Sequence, residues 1–190
     1  MNNIKKEVKK KITIYSNENY LDGYIRNEFL TSNGDANIFM NLNDKNGLFD
    51  SRTSDDQLDL NSDIYDYLDS KSSILNNNIK INFYIVGLNL SSIEKEKVKH
   101  LIKEHYAIEL YKIQKEYQRY KNKIISLLLI GAFFLICYAL MSYNLFTEVF
   151  VFLFSFALWE AFDCLIYDFS DIKLKRESIT QKLLIDIYFK

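Results

Sequence analysis

Proline is missing from this chain, and glycine occurs only five times among 190 residues. These shortages exclude collagen-like repeats, Pro-rich spacers and Gly-rich extensible linkers, each of which depends on the scarce residue. Cysteine is rarer still. Cys137 and Cys164 both fall in apolar surroundings, too few for a disulfide framework or a thiolate metal cluster, and they read as small helix-packing residues. No large excess of either charge is present, since the formal net charge is -1. That balance hides a division: acids outnumber bases in residues 1–90, whereas bases dominate residues 91–123. The amino-terminal MNNIKKEVKKKITIYS is basic but lacks the apolar core of a secretory signal, so the soluble part of the chain is expected in the cytoplasm.

What the chain does have is two long apolar runs. Residues 124–143 (IISLLLIGAFFLICYALMSY) contain no charge, and residues 145–167 (LFTEVFVFLFSFALWEAFDCLIY) contain three acids among aromatic and aliphatic side chains. Each is long enough to cross a hydrocarbon core of roughly 30 Å as a helix. The connection around Asn144 is so short that the two spans must run antiparallel, as a transmembrane hairpin. Arg119, Lys121 and Lys123 precede the first span, and Lys173, Lys175 and Arg176 follow the second. The positive-inside bias therefore predicts a two-pass protein of the inner or plasma membrane with both termini cytoplasmic.

Ahead of the hairpin the pattern predicts an α+β class, with a small cytoplasmic α/β domain over residues 1–90. Strands are expected at Lys11–Ser16, Ala36–Leu42 and, most strongly, Lys80–Leu88, where Ile81, Phe83 and Ile85 form one face. Helices are expected at Glu18–Leu30 and Leu60–Leu68, the latter with Asp59 or Asn61 near its start, and Asn43–Asp59 reads as a polar loop. Ser91 and Glu94 have capping-box spacing, which starts a basic juxtamembrane helix over residues 91–123 at Ser92 or Ile93. Along it Tyr106, Leu110, Ile113, Tyr117, Tyr120 and Ile124 recur at alternating intervals of four and three, a coiled-coil-like seam. In the tail, residues 170–190, a short helix around Lys173–Lys182 precedes a strand at Leu183–Phe189 that is expected to return to the sheet as an edge.

The chemistry-bearing residues lie mainly in the hairpin. Glu160 and Asp163 fall on one helical face that continues to Tyr167, and a charge in hydrocarbon seeks a protein interface or water. They are candidates for a helix interface or for a pore lining, with Phe152, Phe156 and Trp159 as aromatic gates. Lys112, Lys115, Arg119, Lys121 and Lys123 are candidate contacts for lipid headgroups or another anion. His100 and His105 lack the HExxH arrangement, and Asp55, Asp56 and Asp59 lack that of a calcium loop, so no metal is expected. No nucleophile, base and oxyanion donor assemble by motif, and neither enzymatic activity nor a cofactor is expected. The expected partners are membrane lipids, further copies of the chain, and a cytoplasmic protein or small nucleotide where the basic helix meets the soluble domain. Topology and lipid contact account for the basic helix, so no long nucleic acid is expected.

The stretch FALWEAFDCLIYDFSDIKLKRE, with Trp159, Asp163, Tyr167 and Asp168 followed by Lys173, Lys175 and Arg176, resembles a family of uncharacterised bacterial two-span membrane proteins. The resemblance extends less specifically over residues 48–190. It implies a soluble region, a basic helix, two spans and a strand-like tail, and no activity. The position after the tryptophan, often basic in that family, is Glu160 here. In size and layout the chain also resembles small membrane effectors of bacterial antiviral defence systems, which assemble channels and respond to nucleotide signals.

Overall fold

The computed structural model describes residues 25, 28–50, 52, 58–140 and 145–190. The strand expected at Lys11–Ser16, most of the helix expected at Glu18–Leu30, the acids Asp55 and Asp56, and the link around Asn144 lie outside the described residues. The chain divides into two compact units, Met1–Tyr106 with Gln181–Lys190, and Ala107–Thr180.

Among the described residues the first unit is organised by a three-stranded sheet of β1 (Ala36–Asn41), β2 (Ile81–Val86) and β3 (Asp186–Phe189), in the order β1-β2-β3. Both pairings are parallel, with Ile38 opposite Phe83 and Phe83 opposite Ile187. The expected return of the tail to the sheet is therefore found, as a parallel strand at the edge of the described sheet, starting three residues later than its apolar alternation. A parallel pair needs a crossover. Between β1 and β2 it includes α1 (Ser62–Ser72), and between β2 and β3 it includes the long helices from Ser92 to Leu183.

Side chains alternate between the two faces of the sheet. Ala36, Ile38, Ile81, Phe83, Ile85 and Ile187 are buried and meet a core that includes Ile64, Leu68, Val98, Ile102 and Tyr106. The opposite face carries a row of rings in register, Phe39 stacked on Tyr84 at 4.8 Å and Tyr84 on Tyr188 at 5.0 Å. Gly87 ends β2 at φ +93, where a Cβ would lie 2.7 Å from the Leu42 carbonyl oxygen. Only glycine fits this close approach without strain.

Helix starts follow their sequence signals. Asn61 caps α1, its side chain accepting from the Asp63 amide. The capping box forms as spaced: the Ser91 amide donates to Glu94 at 2.7 Å and the Glu94 amide donates to Ser91 Oγ at 3.3 Å. From that box runs α2 (Ser92–Leu140), an unbroken helix that joins the expected juxtamembrane segment to the first apolar run. The second run forms α3 (Leu145–Asp163), a π-helical segment at Cys164–Asp168, and α4 (Phe169–Leu183).

Candidate functional site: an antiparallel apolar helix pair

Within the second unit, contacts between the helices fix their direction. Tyr117 meets Phe169 at 4.8 Å, Lys123 meets Glu160 at 2.9 Å, a Cβ on Gly131 would lie 3.7 Å from that of Ala157, and Phe134 meets Phe150 at 6.2 Å. Advance along α2 is matched by retreat along α3 and α4, so the pair is antiparallel. Close approach is permitted by small side chains, Gly131 on one helix and Ala157, Ala161 and Cys164 on the other. Packing of this kind is what drives association where lipid removes the hydrophobic force between helices. The α2 seam extends into the contact: Tyr117 packs on Phe169, and the Arg176 guanidinium lies 4.4 Å from the Tyr117 ring.

The π-helical segment sets which side chains complete this interface. Ala157, Ala161 and Cys164 are buried at intervals of four and three, and an unbroken α-helix would next present Asp168 and Asp171. The π turn inserts one residue, and the face is taken by Phe169 and Ile172 instead. Asp168 and Asp171 are left exposed. The sequence reading ended the span at Tyr167 and missed this turn. Its signal was the five-residue interval from Cys164 to Phe169.

The sequence-selected residues separate into distinct groups. Glu160 is paired by Lys123, with the two side chains 37% and 45% exposed. Asp163 is exposed, and no ion pair to it is found among the described residues. Phe152, Phe156, Trp159 and Tyr167 are exposed on the surface of α3 and the π segment. Lys112 and Lys121 are exposed. Lys115 and Arg119 are exposed as well, along a shallow open groove on the same helix with Tyr111, Gln114, Gln118 and Asn122, and the Lys115 ammonium lies 4.7 Å from the Tyr111 ring.

Both helices are long and apolar enough to cross a membrane, and only 6% of the apolar window in Ser92–Leu140 and 17% of that in Glu148–Leu183 is buried. A core helix of a soluble domain would have the opposite exposure.

In the first unit, polar side chains hold the end of α4. Lys182 pairs with Asp69 at 2.7 Å, and the Tyr106 hydroxyl donates to the same carboxylate at 2.8 Å. Gln181 donates to the carbonyls of Asn76 and Ile79. Lys103 donates to the carbonyls of Leu183 and Ile185, and burial lowers its pKa. At the start of α2, Glu94 is held down to about 2 by its hydrogen bonds with Lys45 and Ser91. Comparison with protein-family models, curated proteins and solved structures returned no match.

Proposed function

We propose that this chain is a two-pass membrane protein whose antiparallel helices cross the bilayer while the sheet unit and both termini remain in the cytoplasm. The carrying observation is the exposure of the apolar windows, which leaves most of the surface of Leu129, Phe133, Leu140, Phe152 and Trp159 uncovered by protein. Lipid is the solvent that makes such a surface favourable. The basic residues Arg119, Lys121, Lys123, Lys173, Lys175 and Arg176 near one end of the pair support the cytoplasmic orientation.

In this reading the hairpins assemble as an oligomeric effector or channel, not an enzyme. Binding of a ligand or partner to the sheet unit changes hairpin packing and permits ion flow. The sheet unit includes both the first turns of α2 and the end of α4, so its rearrangement would act on both helices. A nucleotide signal and a role in antiviral defence are consistent with the resemblance in layout. A second reading, a passive scaffold recruiting a cytoplasmic partner, is favoured by the Lys123–Glu160 pair, which neutralises one intramembrane acid without any pore.

Ion flux through liposomes holding the purified chain, measured with and without candidate nucleotides, separates the two. Cation flux that rises when the ligand is added is expected of the channel. Absence of flux with a verified ligand bound supports the scaffold. Protease access to tags at each end of the chain in intact cells tests the orientation, and exposure of either end outside overturns it.

A further inference from the structure

We infer that the groove on α2 is the docking surface for Asp163 of a second copy of this chain, so that copies join head to tail. This rests on the membrane reading above and names the surfaces through which the oligomer forms. Three observations support it.

The first is orientation. In α2 the seam from Leu110 to Ile124 includes the residue that packs on Phe169, and a turn of roughly 100° per residue puts the groove on the far side of the helix. The same geometry puts Asp163 on the side of α3 away from Ala157 and Ala161, in line with Phe156 and Trp159. Each copy thus presents the groove on one outward side and the carboxylate on the other.

The second is depth. The Lys123–Glu160 pair marks one level across the two helices. Arg119 lies four residues from Lys123, roughly 6 Å along the axis, and Asp163 lies three residues from Glu160, roughly 4.5 Å in the same direction because the helices are antiparallel. Copies sharing one membrane orientation therefore bring Arg119 and Asp163 together with little vertical offset. Tyr167, about one turn beyond Asp163, arrives near Lys115 and Gln118.

The third is charge. The groove walls contain two cations, three amides and a tyrosine, and no acid. Asp163 lies on a helical face shared with Glu160 and Tyr167 and flanked by the exposed rings of Phe156 and Trp159, with no cation paired to it among the described residues. A carboxylate at the edge of the apolar span is best placed beside a cation, and a guanidinium at the same depth supplies a charge-assisted hydrogen bond. Because the two patches lie on opposite sides, a two-fold dimer cannot satisfy both, and the contact closes only as a ring of three or more.

The full chain in lipid nanodiscs or mild detergent, sized by native mass spectrometry, provides the test. The unmodified chain is expected to form one closed species larger than a dimer. Arg119→Asp and Asp163→Arg should each weaken self-association roughly tenfold or more, and the double variant should recover it. Arg119→Lys and Asp163→Glu should retain assembly, and helix content by circular dichroism should match throughout, separating interface loss from misfolding. Incorporation into nanodiscs with a purely monomeric or dimeric chain overturns the proposal while leaving the membrane reading intact. A chain that stays soluble without lipid or detergent overturns the membrane reading itself. Weakening in the single variants without recovery in the double overturns the pairing. Assembly unchanged in Arg119→Asp, with loss of co-purified anionic phospholipid, assigns the groove to a lipid headgroup and overturns the second-copy assignment.

Discussion

The amide of Phe169 donates to the carbonyl of Cys164, five residues back instead of four. This one bond rotates the following helix by a residue, so that Phe169 and Ile172, rather than two aspartates, complete the face toward α2. Insertion of one residue in this way is the usual form of a π-bulge.

Deleting Ile166 should convert the π turn to an α-helix while keeping Phe169, Ile172 and Arg176 on their present face. Inserting one alanine after Ile166 should rotate them by roughly 100° and break the packing on Tyr117. The expected outcome is a deletion variant with near-native thermal stability in detergent and an insertion variant that unfolds at lower temperature. Equal destabilisation of both would reject the register argument.

Trp159 is the one tryptophan in the chain and is 73% exposed, which makes it a reporter of its surroundings. In liposomes its emission should shift to the blue and be quenched by lipids brominated along the acyl chain, more strongly toward the headgroup end than at the bilayer centre. Emission characteristic of bulk water would count against a membrane position for α3.

Gly87→Ala should be far more damaging than Gly34→Ala. Both glycines have positive φ, at +93 and +85, but a Cβ at Gly87 meets the Leu42 carbonyl at 2.7 Å whereas one at Gly34 meets nothing within 4 Å. The Gly34 variant should lose about 1 kcal/mol from backbone strain alone, and the Gly87 variant about 3 kcal/mol or more. Denaturant midpoints with unchanged slopes would report the difference.

Asp69 accepts from both Lys182 and Tyr106, and Lys182 is 8% exposed. Tyr106→Phe removes one hydrogen bond and should cost about 1 kcal/mol. Asp69→Ala leaves the Lys182 ammonium buried without its carboxylate and should cost about 2–3 kcal/mol. Amide exchange at residues 181–189 should accelerate in the second variant more than in the first.

The depressed pKa of Glu94 carries a sign. Its pKa is lowered from 4.5 to about 2, so the folded state favours the ionised form. The associated stability is present above pH 4.5 and is lost as pH falls from there toward 2. Amide exchange in the first turn of α2 should therefore speed up in that window, and Glu94→Gln should remove the pH dependence. A variant with the same acid profile as the unmodified chain would place the effect elsewhere.

The sequence by itself determined the features written in local chemistry. Asn61 and the Ser91–Glu94 box mark helix starts because capping needs only residues two or three apart. The period-two pattern of Ile81, Phe83 and Ile85 specifies a strand with one buried face, and the two apolar runs specify helices. Tertiary structure decided what those elements meet. Leu183–Phe189 could be read as strand-forming, but its parallel register beside β2 depends on side chains far away in the chain, and the anchoring of α4 by Asp69, Asn76, Ile79 and Lys103 had no local signature. Glu160 and Asp163, adjacent on one helix and alike in sequence, acquired different surroundings because only Glu160 lies toward Lys123. The π turn is the clearest case: this local deviation sets Phe169 against Tyr117 of α2 and buries Ile172 while leaving Asp168 and Asp171 exposed. Local periodicity states which residues can share a face, whereas the partner helix decides which face is buried, and that partner is contributed by sequence some fifty residues away.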